Sequence, residues 1–81
     1  MKKKTLLIVD DDPVFNGLLR RQIESMGFST LGAGSWAEAQ QRLSEIEPCA
    51  IILDFKLPDS DASRILSEIR NQYPVIVLTG Y

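Results

Sequence analysis

The apolar positions of this chain change their spacing from one segment to the next. "TLLIV", residues 5–9, is an unbroken apolar run rich in branched side chains, as in a strand covered on both faces of a parallel sheet. Past Asp12, a candidate cap, and Pro13, which suits a first helical position, Val14, Phe15, Leu18, Leu19, Ile23 and Met26 fall at helical spacing until Gly27 closes the stripe, which reads as core. "FSTLGA", 28–33, predicts a second and weaker strand. "SWAEAQQRLSEIEP", 35–48, predicts a helix that opens on a Ser35–Glu38 capping box and ends before Pro48. It would bury Trp36 or Ala37, together with Ala39 and Leu43. "CAIILDF", 49–55, reads as a third strand, and "DASRILSEIRNQ", 61–72, as a third helix with Ile65, Leu66 and Ile69 on its inner face. "PVIVLTGY", 74–81, is the fourth strand.

Strands that alternate with helices imply right-handed crossovers and a parallel sheet carrying helices on both faces. Ligands of such sheets sit beyond the C-terminal strand ends, where the strand order reverses. Asp10 and Asp11 follow the first strand, Asp54 ends the third, and Thr79 ends the fourth. Acids as crowded as Asp10, Asp11 and Asp12 each make the others harder to ionise, so a cation, a helix N-terminus or solvent must offset the repulsion. If the first and third strands are neighbours, their acids meet in one cleft. Mg²⁺ suits that cleft, because it binds through one or two carboxylates, keeps waters and leaves positions for a phosphate. A carboxylate such as Asp54 can attack phosphorus and form an acyl phosphate. The chain has no histidine, so the phosphoryl group has to arrive from another molecule.

Composition narrows the classes further. At 81 residues the chain is one domain or a piece of one. So short a chain buries only about 60% of its unfolded surface. With 44% hydrophobic and 25% charged residues it is ordinary globular material. A net charge of −2 offers nothing to nucleic acid or to an anionic membrane. Cys49 is the single cysteine, so no internal disulfide can form; it reads as a small buried hydrophobe in a reducing compartment. The apolar stretch within "MKKKTLLIVDDD" is too short for a signal peptide, and no segment is long enough to span a membrane. The leading lysines read as a solvated strand end.

Three stretches in order, "LIVDDD", "ILDFKLPDSDA" and "VIVLTGY", give the chain a close resemblance to the receiver domain of two-component response regulators over all 81 residues. The resemblance implies an α/β, flavodoxin-like, doubly wound parallel sheet of order 2-1-3-4. The fifth strand and last two helices of the family are absent from this chain, so 1–81 would be the N-terminal two-thirds of a receiver. It implies that Asp54 is the phosphoacceptor. Asp10, Asp11 and Asp54, with the backbone carbonyl of Lys56, would hold Mg²⁺ (or Mn²⁺). Thr79 would be the switch hydroxyl that meets the phosphoryl group, and Lys56 and Tyr81 would modulate how long the phosphate persists. Asp12 is left to cap the helix. The partners implied are a sensor histidine kinase or phosphotransfer protein, the compartment is the cytoplasm, and the role is a signalling switch with at most weak autophosphatase activity. Ala62 stands where the family commonly has glycine. The family's phosphate-binding lysine is not in this chain, which predicts impaired phosphorylation, and a fourth strand at the sheet edge predicts self-association through it.

Other readings fit less well. An EF-hand frame starting at Asp59 puts Arg64 and Arg70 where glycine and glutamate are required. Haloacid-dehalogenase-like phosphatases need a second acid two residues after the nucleophile, where this chain has Lys56. A flavodoxin must cradle phosphate in the loop that here holds Asp10–Asp12. A protein-binding pseudo-receiver, or a non-functional fragment without the lysine, remains the alternative. Taken singly, the acids at 10–12 could serve only the dipole of the following helix, and Asp54 could be a turn residue.

Overall fold

The computed structural model describes residues 4–54, 56, 57 and 60–78. Its elements run β1 (Thr5–Val9), α1 (Pro13–Ser25), β2 (Ser29–Ala33), α2 (Trp36–Glu45), β3 (Ala50–Asp54), β4 (Lys56–Leu57), β5 (Ser60–Asp61), α3 (Ala62–Ile69) and β6 (Val75–Leu78). Four of the strands form one parallel sheet of order β2-β1-β3-β6, the order expected with β6 as the fourth strand. The antiparallel pair β4–β5 was not foreseen. Phe55, at the end of the expected third strand, and Thr79, Gly80 and Tyr81, at the end of the fourth, lie outside the described residues.

The continuous apolar runs are explained by cover on both faces of the central strands. Leu7 and Val9 of β1 and Ile51 and Leu53 of β3 pack with Trp36 and Ala39 of α2 and Ile65 and Ile69 of α3. The alternate residues Ile8 and Ile52 pack with Ile23 of α1, and Leu19 and Phe28 close around them. Trp36, rather than Ala37, is the buried member of the pair at the start of α2.

The helix ends follow the expected chemistry with one difference. The Asp12 carboxylate accepts from Val14 N–H (3.0 Å) and Phe15 N–H (3.3 Å), and Gly27 takes the positive φ of 98° beyond α1. At α2, Ser35 Oγ accepts from Glu38 N–H, but the Glu38 carboxylate reaches back to Gly34 N–H, one residue before the cap.

Two burial expectations fail. Val14 (69% exposed), Leu18 (53%) and Met26 (67%) lie outside the core. The face of α1 that meets the sheet carries polar Asn16 beside Leu19 and Ile23, and Val14 and Leu18 sit ~200° around the helix from Asn16 at 100° per residue. Cys49 is also exposed: its N–H donates to Thr5 O (2.8 Å) at the lip of the sheet, one residue before β3 enters the core. Among the described residues no helix is long and apolar enough to cross a membrane.

Candidate metal centre

The parallel register aligns the strand ends and thereby assembles the site. Val9 pairs with Ala33 on one side and with Leu53 on the other, and Asp54 pairs with Leu78. Asp10, one residue past Val9, is therefore level with Asp54, one residue past Leu53. Carboxylate oxygens of Asp10, Asp11 and Asp54 all lie within 4.8 Å of one another, with Asp10 and Asp54 buried and Asp11 exposed. The order β2-β1-β3 puts this cluster where connections leave in opposite directions, the position at which open α/β sheets place ligands.

The three consecutive aspartates divide their work. Asp12 is spent on the N-terminus of α1. Asp11 stays in solvent. Asp10 is fixed through almost every polar atom it has: its N–H donates to Ala33 O (2.9 Å), its carbonyl accepts from Asn16 Nδ2 (3.1 Å), and its Oδ1 accepts from Asp12 N–H (2.9 Å). Its Oδ2 is buried without a hydrogen-bond partner. Burial raises the Asp10 carboxyl above its ordinary 3.8; the Asp12 N–H bond pulls it back, and the charges of Asp54, Asp11 and Asp12 push it up again. Three carboxylates within 4.8 Å of one another, one of them with a buried oxygen that has no hydrogen-bond partner, are a donor set that fits a hard divalent cation keeping some of its waters.

Of the other expected site residues, Lys56 is in β4, paired with Asp61. Thr79 and Tyr81 lie outside the described residues, although Leu78, which precedes Thr79, is paired with Asp54.

A polar seam along the inner face of α1 went unnoticed in the sequence. Asn16, buried, directs Nδ2 toward Ile8 O (3.4 Å), Asp10 O (3.1 Å) and Ala33 O (3.3 Å). One turn on, Arg20 Nε donates to Thr30 Oγ1 (3.2 Å), whose hydroxyl donates to Glu24 Oε2 (2.5 Å). The signal available was a spacing of four residues between Asn16, Arg20 and Glu24 inside a helix read as apolar. Beside the seam, a cavity of about 330 Å³ opens among Asp10, Asp11, Asn16, Arg20, Gly32 and Glu38.

Comparison with known proteins agrees with this architecture. The family model "Response regulator receiver domain" matches residues 6–81. The acid tolerance regulatory protein ActR of Rhizobium meliloti is 37% identical over 81 residues, a match covering 96% of this chain and 42% of ActR. The response regulator TrrA of Thermotoga maritima, solved in complex with Mg²⁺ and BeF, superposes with a TM-score of 0.87 at 28% identity, over 96% of this chain and 70% of that one. A response regulator from Burkholderia pseudomallei, solved with a phosphorylated aspartic acid, a calcium ion and citrate, gives a TM-score of 0.87 at 27% identity, over 98% of this chain and 48% of that one. The chain spans less than half the length of curated relatives such as ActR. On a matched family model, a shared strand order and an acidic cluster at the switch point, the chain belongs to the response regulator receiver domain family.

Proposed function

We propose that the chain is a phosphorylatable switch of a two-component system, with residues 1–81 contributing the N-terminal two-thirds of the receiver. Asp54 is the phosphoacceptor. Asp10, Asp11 and Asp54, with the backbone carbonyl of Lys56, hold Mg²⁺ or Mn²⁺, which when bound supplies positive charge for the phosphoryl oxygens. Thr79 receives a phosphoryl oxygen, and Lys56 and Tyr81 tune how long the phosphate persists.

The transfer balances without any further reactant. An oxygen of Asp54 bonds to phosphorus as the phosphorus–nitrogen bond of a phosphohistidine on the donor breaks, and the electron pair returns to the donor imidazole. Water later cleaves the acyl phosphate and restores the carboxylate, a weak autophosphatase step. The donor is a sensor histidine kinase or phosphotransfer protein in the cytoplasm, and the phosphorylated state biases an output or partner.

The observation that carries this reading is the cluster of Asp10, Asp11 and Asp54, with carboxylate oxygens within 4.8 Å of one another and one buried Asp10 oxygen, Oδ2, without a hydrogen-bond partner. The metal-bound and phosphorylated relatives support the same chemistry. The test is incubation with acetyl phosphate and Mg²⁺, read by intact mass. A gain of one phosphoryl group that is lost in Asp54→Asn is expected, and an equal gain in Asp54→Asn would refute the assignment. No gain, in a chain that still folds, would favour the protein-binding pseudo-receiver.

Among the described residues β6 is an outer strand of the sheet, and Ile76 is 54% exposed, which supports self-association by strand pairing. Sedimentation is expected to show a concentration-dependent dimer; a 9.1 kDa monomer throughout would exclude it.

A further inference from the structure

We propose that Asn16 is a positioning residue for the cation site, holding the Asp10 carboxylate in register through the ends of β1 and β2. The proposal rests on the reading of Asp10, Asp11 and Asp54 as cation ligands and adds a residue outside that set.

Donors and acceptors do not balance at Asn16. A primary amide has two N–H groups, and the Asn16 amide nitrogen faces three carbonyl oxygens, those of Ile8, Asp10 and Ala33, at 3.4, 3.1 and 3.3 Å. Such shared bonds are individually long, yet together they converge on one point where β1, β2 and α1 meet. Two of the acceptors bracket the site: the carbonyl of Asp10 itself, and Ala33 O, which also accepts the Asp10 N–H at 2.9 Å. Asn16 thus bonds the peptide group after the Asp10 Cα directly, and is linked to the one before it through their shared acceptor, Ala33 O. With Oδ1 tied to Asp12 N–H, the rotation of the carboxylate is settled and Oδ2 is left buried without a hydrogen-bond partner, in a residue whose carboxylate lies within 4.8 Å of those of Asp11 and Asp54.

Gly32 makes this arrangement possible. A Cβ at Gly32 would lie 2.8 Å from Asn16 Oδ1, closer than real Cβ contacts come, and 3.0 Å from Arg20 Nη1, a tight contact that the flexible guanidinium has to give way to. The Asn16 Oδ1 atom is itself buried without a partner. An amide retained with its oxygen unsatisfied is being used for its nitrogen. A buried asparagine kept only for packing would more readily be an apolar residue of similar volume. Outer groups that orient a metal ligand commonly change affinity by ~10–100-fold when removed.

The experiment measures Mg²⁺ binding to the full chain by calorimetry, alongside Tm without metal, for the parent, Asn16→Ala, Gly32→Ala and Thr30→Val. The last variant cuts the Arg20–Thr30–Glu24 link between α1 and β2, away from Asp10. Asn16→Ala is expected to weaken Mg²⁺ binding roughly tenfold. Gly32→Ala, which displaces the amide without deleting it, moves in the same direction, while Thr30→Val lowers Tm and leaves the Mg²⁺ affinity at the parent value. Equal Mg²⁺ affinity in parent and Asn16→Ala would overturn the proposal, as would an equal weakening in Thr30→Val, which would show general loosening. Should Asn16→Ala fail to fold, Gly32→Ala decides: a folded variant with parent affinity refutes the positioning role. A parent chain that binds no Mg²⁺ removes the cation site itself and the proposal with it, an outcome distinct from a parent that binds and an Asn16 variant that binds equally well.

Discussion

Leu53 and Asp54 are neighbours on β3, and Val9 and Asp10 are neighbours where β1 ends; all four are almost wholly buried, yet they belong to different regions of the molecule. Leu53 and Val9 have apolar partners on every side. One residue further, Asp10 gives up hydration for three hydrogen bonds, leaves one oxygen unpartnered and has its carboxyl raised by burial. The same degree of burial therefore stabilises in the strand interior and opposes folding at the strand end. The difference teaches where this fold keeps its unsatisfied chemistry: at the one sheet end where loops of several strands converge.

The contrast can be broken most severely from the apolar side. Leu53→Ala should lower unfolding free energy by about 2–5 kcal/mol, seen as an early urea midpoint, because it leaves a cavity between β3 and the helices. A change under about 1 kcal/mol would show that the site can collapse. The acidic side responds in the opposite sense. Asp10→Asn should raise the metal-free Tm, by removing a buried ionisable group, and abolish the stabilisation by Mg²⁺, which amounts to about 2.7 kcal/mol at a hundredfold excess over Kd. Thermal melts with Mg²⁺ and with EDTA measure both effects.

The pH dependence sharpens the same point. The folded-state pKa of Asp10 lies above its ordinary 3.8, so as pH rises past that value the unfolded chain releases the proton first. The metal-free fold thus loses stability until Asp10 has ionised in the folded state as well. Cation binding needs the ionised form, so the Mg²⁺-linked gain in Tm grows through the same window. Melts from about pH 4 to about pH 7 should show the two trends diverging in the parent and flattened in Asp10→Asn. A smaller effect separates the third aspartate from the pair: Asp12→Ala should cost about 1 kcal/mol as a lost helix cap while leaving Mg²⁺ affinity intact. The smallest is Arg64→Ala, which removes an exposed ion pair with Glu68 and should change stability by less than about 0.5 kcal/mol.

Much of this contrast was readable from spacing. The apolar run of β3, with one acid at its end, specified both a doubly covered strand and the position of Asp54, since a buried parallel strand leaves no polar face to confuse the pattern. Asp12 as cap and Gly27 as helix end followed from local chemistry alone. What was not legible depended on which neighbour each residue meets. The stripe on α1 placed Val14 and Leu18 in the core, because periodicity finds an apolar face without saying that Asn16 and Arg20 have a sheet edge to bond to. Cys49 was misplaced by one residue of strand entry. The β4–β5 pair is too short to have a period at all.

The position of β3 bears on how reliably the molecule reaches its working form. It is held by β1 on one side and β6 on the other, whereas among the described residues β2 and β6 are each held on one side only. Adjacent residues of a strand face opposite ways, so a slip of one position would turn Asp54 toward the interior and Leu53 toward the acids. The segment on which such mis-threading would be most damaging is thus clamped along both of its borders, and assembly errors are steered to the outer strands, away from the proposed acceptor.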